Sequence, residues 1–499
     1  MPPDVYLNLG HSNTHFPGLL PFLKHARRHF LPTTRNGHTP VYVLGNQSAD
    51  LDSMISAIVY SYFFSRTDKD RRGYVPLVNL PDVPSGPELR RLRPEFACAL
   101  EHSLSSPQSA SAPVPEGKNA DRDGIVKLLK EHIVTVADLR DALLSAADDE
   151  GNKGDGQNSK LELDCVLVDW NSLPHKASGR GKGSIDGLSD LATFSVTGCI
   201  DHHVDEGFVP PLGNLPEGNP RIIELGPGSC TSSVICEIQK RGLWPSLLAL
   251  EAERRDDEDD HGDIQVAKLA LAAILIDTTN LTAEGKVTDV DREAVSFLTE
   301  RISLSSTPGA GKKWNRDSFF EHISYAKAHS LDWLTVEEIL GRDYKDWVES
   351  TPSGEERAIG IASVVRPLEW IVSKANEEDD NKSKDQNLQP FLNKLKKFAT
   401  GKHLDVASVM TAFTSEDANG DDAGRFAREL LVWGLNGDSD AYTQKFMCAA
   451  KEQLDLQKWN GFPAEGSQEY TGDLFVWKQG NLAKSRKQVA PLLRESVKS

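Results

Sequence analysis

The run Asp201-His202-His203, directly after the apolar residues 196–200, combines a carboxylate with two imidazoles. An apolar run that ends abruptly in metal-ligand side chains is typical of a buried strand that delivers them at its carboxyl end. Three further apolar runs end in the same way, at Asn46, Asp50 and Asp52, at Asp169, and at Asp277. A carboxylate beside an apolar core is costly unless it is paired or bound to a cation. Hard oxygen ligands with one or two imidazoles suit Mn²⁺ or Mg²⁺ better than a thiophilic metal, so we predict a site for such an ion.

Each of these residues also has an ordinary structural explanation. A single Asp after a strand, such as Asp169 or Asp277, is most often a turn or helix-cap residue. Asp52 or Ser53 would also serve as the cap of the helix predicted over residues 54–64. Four such endings in one chain are much harder to explain as caps, which is why we favour the metal site.

Strand and helix patterns alternate from residue 39 to residue 300 or so, which predicts a parallel sheet covered by helices. We expect each of the four apolar runs to be a buried strand of this sheet. Two polar, low-complexity stretches, residues 103–123 and 147–160, predict exposed insertions. The sheet would therefore bring the four groups of ligands together at one edge.

The rest of the chain predicts a second α/β domain. Residues 304–314 are rich in turn formers and lack an apolar period, which is typical of a linker. Helical patterns follow from residue 315, and strand patterns appear at residues 358–365 and 407–413. We therefore expect two domains, residues 1–303 and residues 315–499.

The order of these motifs resembles that of a known family. Gly-Asn-x-x-Ala-Asp-x-Asp-Ser at residues 45–53, a strand ending in Asp169, Asp-His-His at residues 201–203 and an apolar run ending in Asp277 are similar to motifs one to four of the DHH phosphoesterase superfamily. Residues 45–53 resemble the fungal cytosolic exopolyphosphatase branch. The resemblance implies an N-terminal parallel-sheet DHH domain with flanking helices, a smaller α/β DHH-associated C-terminal domain, and an active site in the cleft between them.

The resemblance also implies two divalent ions, Mn²⁺ or Mg²⁺. Asp50 would bind one ion and Asp52 the other, Asp169 would bridge both, and His202 and Asp277 would complete the shell of the second. Asn46 lies where the related family II inorganic pyrophosphatases carry a ligand His. Because an amide oxygen is a weaker, neutral ligand, we expect that ion to be held more loosely or through water.

Several further residues would contact the substrate. By the same resemblance, His203 would point at the phosphate and Asp201 would orient an imidazole. In the second domain, Lys345 lies in a segment that resembles a substrate-binding one, and Arg486 and Lys487 lie in a stretch that resembles the terminal Ser-Arg-Lys motif, although the pyrophosphatases have one more Lys before the Gln. Without the family, these three cations would be read as surface charges.

The glycine-rich segment at residues 226–233 follows a predicted strand, and it is a further candidate for phosphate binding. Backbone N–H groups at such a helix start can hold a phosphate, with Ser229 or Thr231 assisting. An ordinary capped helix is the equal alternative.

The resemblance implies that the chain is an exopolyphosphatase, which removes terminal phosphate from inorganic polyphosphate. The two ions would supply hydroxide from a shared water, and His203, Lys345 and Arg486 would stabilise the charge that grows on the phosphate, which with Asp169 makes them the expected catalytic groups. An inorganic pyrophosphatase, a short nucleotide-phosphate phosphodiesterase and a non-catalytic prune-like interaction protein remain the alternatives.

Composition indicates the cellular compartment of the protein but does not determine its substrate. Six cysteines without a Cys-x-x-Cys pattern predict reduced thiols, and the absence of a presequence or apolar span predicts a cytoplasmic protein without membrane contact. The net charge of −18 lies partly in acidic runs such as residues 256–260, and bound cations would reverse its sign at the site. We expect a monomer that binds polyphosphate and no nucleic acid.

Overall fold

The computed structural model describes residues 16, 18–32, 39–66, 72–105, 120–149, 160–244, 260–304, 314–332, 334–379, 388–414, 425–437, 439–459 and 474–498. These residues form two compact units, one from residues 1–90 and 95–323, the other from residues 91–94 and 324–499. Most of the predicted linker and of the two predicted insertions lies outside the described residues. The predicted domain boundaries stay predictions.

The first unit is built on an eight-stranded sheet. Its strands are β1 (Val41–Leu44), β2 (Tyr74–Val78), β3 (Val134–Thr135), β4 (Leu161–Val168), β5 (His175–Lys176), β6 (Lys182–Ser184), β7 (Ala192–Asp201) and β8 (Arg221–Ile223). They lie in the order β3-β2-β1-β4-β7-β6-β5, with β8 also paired to β7. All pairs are parallel except those of β6 with β7 and with β5, so the predicted parallel sheet is confirmed.

Ten helices of the first unit fall within the described residues. They are α1 (Leu19–Arg28), α2 (Leu51–Phe64), α3 (Pro87–Leu92, which ends in the second unit), α4 (Pro94–Leu104, whose first residue belongs to the second unit), α5 (Ala120–His132), α6 (Val136–Asp149), α7 (Cys230–Lys240), α8 (Asp260–Asp277), α9 (Asp289–Leu304) and α10 (Arg316–Ala328, which ends in the second unit). Helix α2 is buried at every position and packs against β2, α7 and α8. Its apolar side chains each contribute about 1.5–3 kcal/mol when fully buried, so the ligand-bearing start of α2 is firmly held.

One predicted strand is a helix. Residues 272–276 lie inside α8, whose residues 266–275 are all nearly inaccessible to solvent. A helix that is apolar on every side packs as a buried helix, and a short apolar run alone does not distinguish it from a buried strand. The expectation of a fourth strand was therefore wrong, although Asp277 still ends the element.

The second unit contains a six-stranded mixed sheet between helices. Its elements are α11 (Val336–Arg342), β9 (Tyr344–Ser350), β10 (Glu356–Val364), α12 (Leu368–Glu378), α13 (Leu388–Gly401), β11 (Val406–Thr411), the short pair β12 (Phe413–Thr414) and β13 (Phe426–Ala427) beside the sheet, β14 (Glu429–Gly434), α14 (Ser439–Gln453), β15 (Leu456–Lys458), β16 (Leu474–Gln479) and α15 (Arg486–Lys498). The order is β15-β16-β14-β11-β10-β9, with only β10 and β11 parallel. One apolar core contains residues of α11, α12 and α13, and a second contains residues of α14 and α15. The predicted second α/β domain and its strands at β10 and β11 are confirmed.

Two smaller observations bear on the setting. All six cysteines are free thiols, as predicted. Within the described ranges, no helix combines the length and the apolar character that crossing a membrane requires.

Candidate metal centre at the carboxyl edge of the parallel sheet

The loops that follow β1, β4 and β7 meet at one edge of the sheet. The strands are parallel and in register, with Leu44 beside Leu167 and Val168 beside Ile200, so the residues that follow them are neighbours. The backbone N–H of Asp169 donates to Ile200 O at 3.0 Å and extends the ladder by one residue. Asp169 then turns into the left-handed region at φ 55°, which Asp tolerates better than most residues and which ends the strand.

Asp169 is the centre of the site. Its carboxylate is almost fully buried, and Oδ2 accepts hydrogen bonds from Asn46 Nδ2 and from Ser53 Oγ, both at 2.7 Å. Its other oxygen, Oδ1, lies 3.0 Å from His202 Nε2 and 3.6 Å from His203 Nδ1. One carboxylate thus joins the loops after all three strands.

The ring of His202 has one fixed orientation. Its Nδ1 lies 2.8 Å from Pro227 O, and because a carbonyl only accepts, Nδ1 carries the proton. In the neutral ring, Nε2 then presents a lone pair to Asp169 Oδ1. Two electron-rich atoms 3.0 Å apart require a proton or a cation between them. The separation matches adjacent ligands of an octahedral ion, since bonds of about 2.1 Å place such ligands about 3.0 Å apart.

His203 is held beside this pair by Asp201. The carboxylate of Asp201 is fully buried, and its Oδ1 accepts from His203 Nδ1 at 2.7 Å and from the backbone N–H of His202 at 2.8 Å. Its Oδ2 accepts from Asn171 Nδ2 at 2.5 Å. One ligand atom each of Asp169, His202 and His203 lies within 4.8 Å of the others, a spacing suited to a metal ion. The His203 side chain is also 26% exposed, so it can reach a molecule from solvent.

Asp50 and Asp52 are positioned by the start of α2 and have different surroundings. Asp50 is half-buried and caps α2, because its Oδ1 accepts from the backbone N–H of Ser53 at 3.0 Å. Asp52 is buried and points at the start of α7, where it accepts from the backbone N–H groups of Cys230 at 2.6 Å and Thr231 at 3.0 Å. Asp52 thus caps a helix other than its own, while Asp50, rather than Asp52 or Ser53, caps α2.

Burial is the largest cause that raises the pKa of Asp52, and the negative charges of Asp277, Asp169 and Asp50 raise it as well. With His202 acting in the opposite direction, the pKa lies at about 7. Asp52 is therefore within electrostatic range of the other predicted ligands, and the group carries more negative charge than one imidazole offsets. A divalent cation would relieve this repulsion, so the donor set fits such an ion.

Asn46 faces Asp169 through its amide nitrogen. Its carbonyl Oδ1 accepts from Ser48 N at 2.9 Å and from Ser48 Oγ at 2.5 Å, while Nδ2 donates to Asp169. These contacts orient Asp169 and pair the amide oxygen of Asn46 with Ser48. Its predicted place in the metal shell stays a prediction.

The glycine-rich segment before α7 is bound to carboxylates. The N–H groups of Gly228 and Ser229 donate to Asp291, and those of Cys230 and Thr231 donate to Asp52. The hydroxyl of Ser229, which is fully buried, also donates to Asp52, at 2.8 Å. These contacts favour the capped-helix alternative over the predicted phosphate contact of Ser229.

Two residues at the site were missed in the sequence. Ser53, which donates to Asp169, stands in the motif that the sequence singled out and was considered only as a cap. Asp291 follows Thr288 by three residues, which is a helix-cap spacing, but nothing near it in the sequence indicates its partners at the start of α7, which are 59 to 63 residues away.

The predicted substrate cations all belong to the second unit. Arg486 is fixed at the start of α15, because Nη1 donates to Asp343 O and Ser363 Oγ, both at 3.0 Å, and Nη2 lies 2.8 Å from Asp343 Oδ1. Burial acts to raise the pKa of Asp343, but the positive charges of Arg486 and Lys345 hold it below its usual value. Lys345, which lies on β9, is therefore close enough to Arg486 to share this carboxylate's field. Lys487 follows Arg486 and is half-buried.

Comparisons with known proteins agree with these observations. Residues 321–496 match the model of the DHHA2 domain family. A Schizosaccharomyces pombe protein named "Putative exopolyphosphatase" is 31% identical over 460 residues, which cover 92% of this chain and 91% of that protein. The proteins named "Exopolyphosphatase PRUNE1" are 24% identical in Bos taurus, over 92% of this chain and 76% of theirs, and 23% identical in Homo sapiens, over 91% and 75%.

Proposed function

Because this chain belongs to the DHH phosphoesterase superfamily, in the prune-related exopolyphosphatase branch, we propose that it is a metal-dependent exopolyphosphatase that releases orthophosphate from the end of inorganic polyphosphate. The observation that carries this proposal is the buried pair of Asp169 Oδ1 and His202 Nε2, 3.0 Å apart. Their electron-rich atoms converge where a cation would bind, at the edge of a parallel sheet where such folds place their ligands.

Asp169 and His202 would hold a divalent ion, Mn²⁺ or Mg²⁺, and Asp50, Asp52 and Asp277 are the further proposed ligands. When bound, such ions supply a water of lowered pKa and neutralise charge on phosphate oxygens. Asn46 and Ser53 would keep Asp169 in place by donating to its Oδ2. The carboxylate then has its Oδ1 directed at His202 Nε2, where the ion would bind.

His203 would contact the terminal phosphate. Its Nδ1 donates to Asp201, which fixes the plane of the ring and turns its opposite edge, with Nε2, away from Asp201. When protonated, that edge would donate from Nε2 to a phosphate oxygen and stabilise the charge that grows there as the phosphoanhydride bond breaks.

Lys345, Arg486 and Lys487 would bind the oxygens of the polyphosphate chain, in the cleft that the sequence predicts between the domains. Arg486 supports this role best, because Asp343 and Ser363 hold its guanidinium in one orientation. An oriented guanidinium loses little conformational entropy when it binds a phosphate, and such charge-assisted hydrogen bonds are strong.

The alternative substrate is pyrophosphate. The pyrophosphatases have a ligand His where this chain has Asn46, whose amide nitrogen donates to Asp169 instead. This difference favours polyphosphate as the substrate.

Phosphate release tests the proposal. The protein is assayed with long-chain polyphosphate, pyrophosphate and a nucleoside triphosphate, each with Mn²⁺ and with Mg²⁺, and polyphosphate is expected to give the fastest release. Faster release from pyrophosphate would replace exopolyphosphatase by pyrophosphatase, and faster release from the nucleotide would indicate a nucleotide-phosphate phosphodiesterase. No release from any of the three would indicate a non-catalytic interaction protein.

A further inference from the structure

Asp291 is a further buried carboxylate that lies close to the metal centre and has no role in the function proposed above. Asp291, in the first turn of α9, is fully buried. Its Oδ2 accepts from Thr288 N, Thr288 Oγ1 and Gly228 N, each at 2.9 Å. Its Oδ1 accepts from Ser232 Oγ at 2.7 Å and Ser229 N at 3.3 Å. Five donors from two separate segments thus surround one charge.

A single peptide group joins Asp291 to His202. The C=O of Pro227 accepts from His202 Nδ1, and the N–H of Gly228 in the same peptide donates to Asp291. Because a peptide is planar and trans, its C=O and N–H point in opposite directions. Holding the N–H on Asp291 therefore aims the C=O at the imidazole.

Close packing prevents this peptide from moving. A Cβ added to Gly228 would lie 2.8 Å from Lys286 O and 2.9 Å from Thr278 Cγ2, so only glycine fits there. Thr278 directly follows the predicted ligand Asp277. The segment held by Asp291, which includes Pro227, the partner of His202, is thus packed against the loop that follows α8.

We propose that Asp291 is a positioning residue of the metal centre. Through the peptide between residues 227 and 228 it fixes the ring and the tautomer of His202, so that Nε2 is the nitrogen offered to a cation. The proposal depends on the metal site proposed above but not on the substrate. Hydrogen-bond partners of ligand histidines set ligand orientation and basicity in this way.

Asp291→Asn tests the proposal, because the amide has nearly the same shape but only one accepting oxygen. Whichever way it turns, its NH₂ group meets an N–H donor, either that of Gly228 or that of Ser229, and the segment must move. Mn²⁺ affinity, measured by titration calorimetry without substrate, is expected to fall about 10–100-fold. The ¹⁵N chemical shifts of the His202 ring are expected to show loss of the single Nδ1–H tautomer.

Asp138→Asn is the matched control. Asp138 also follows a Thr by three residues and accepts from its backbone N–H, with Thr135 N at 3.0 Å from Oδ2, but its partners include no predicted ligand. Its substitution is expected to lower the melting temperature and leave Mn²⁺ affinity unchanged.

The outcomes separate the possible roles. Wild-type Mn²⁺ affinity and an unchanged His202 tautomer in folded Asp291→Asn protein would overturn the proposal. If that variant does not fold, Ser232→Ala, which removes one donor and keeps the carboxylate, is expected to weaken Mn²⁺ binding in the same direction, and unchanged affinity would overturn the proposal. Mn²⁺ binding without phosphate release in the wild type would reject the proposed function alone, whereas no Mn²⁺ binding would reject both.

Discussion

Asp169→Asn removes one charge from the centre of the site and almost no volume. The oxygen of the amide can still accept from Asn46 and Ser53, and its NH₂ group can donate to the Nε2 lone pair of His202. Asn also tolerates the left-handed backbone that the structure has at this position. We therefore expect the variant to fold, with the contacts to Asn46, Ser53 and His202 retained.

The expected losses are in metal binding and in turnover. A hydrogen bond contributes only about 0.5–1.5 kcal/mol net, so exchanging one for another changes the free energy of unfolding little. An ion present at 100 times its Kd stabilises the wild type by about 2.7 kcal/mol, which the variant would lose. For a unit of this size, that energy corresponds to a shift of roughly 4 °C in melting temperature. An ion that stabilises the transition state by about 4 kcal/mol accounts for about 10³-fold in rate.

Thermal unfolding with and without Mn²⁺, together with phosphate release from polyphosphate, measures both effects. Asp164→Asn is the control, because Asp164 lies on the same strand, β4, but is a third exposed and pairs with Arg72 at 2.8 Å. It should keep both the Mn²⁺-dependent stabilisation and the activity. A folded Asp169→Asn protein that Mn²⁺ still stabilises, or that still hydrolyses polyphosphate at the wild-type rate, would refute the reasoning.

Three further predictions concern other parts of the protein. Lys345→Ala and Arg486→Ala should each raise KM for polyphosphate about 10–100-fold, which corresponds to the loss of one hydrogen bond to a charged group. Neither substitution is expected to lower the melting temperature enough to unfold the protein in the assay. Unchanged kinetics in both variants would show that the second domain does not contribute to the site. With a chelator present, the free energy of unfolding of the wild type, relative to that of Asp52→Asn, should fall as the pH rises from about 4 to 7, by up to about 1.4 kcal/mol per pH unit. The reason is that the pKa of Asp52 is raised to about 7 in the folded protein, which therefore still holds a proton that the unfolded chain has released. Denaturant titrations across this range measure the difference, and a rise would contradict the prediction. Gly45→Ala should destabilise the protein by about 1–3 kcal/mol, since the new Cβ would lie 2.6 Å from Ser53 Cβ; an unchanged denaturation midpoint would show that α2 shifts freely.

The sequence predicted what depends on local patterns. Three apolar runs became β1, β4 and β7, and parallel register brought the residues after them together, as expected for strands buried on both faces. The prediction of a strand from the fourth run was wrong, because a run of Ala, Leu and Ile suits a buried helix as well as a buried strand. Only the 18-residue length of α8 distinguishes the helix from a strand.

What the sequence could not supply is the direction of each side chain. Asn46 was assigned as an oxygen ligand from its position in the motif, whereas its orientation depends on Ser48, two residues away, and on Asp169, which is distant in the chain. Asp291 likewise stands in a local pattern that indicates only a helix cap, whereas its contact with Gly228 joins residues 63 positions apart. Such contacts arise only when the chain is folded.

The bond between Asp52 and the start of α7 complicates the interpretation of any alanine scan of the motif. Truncating Asp52 would leave four donors of residues 229–231 without their acceptor, and a neighbouring helix would lose its anchor before any ion was involved. An inactive Asp52→Ala protein would therefore look like a catalytic mutant even if that carboxylate never touched an ion.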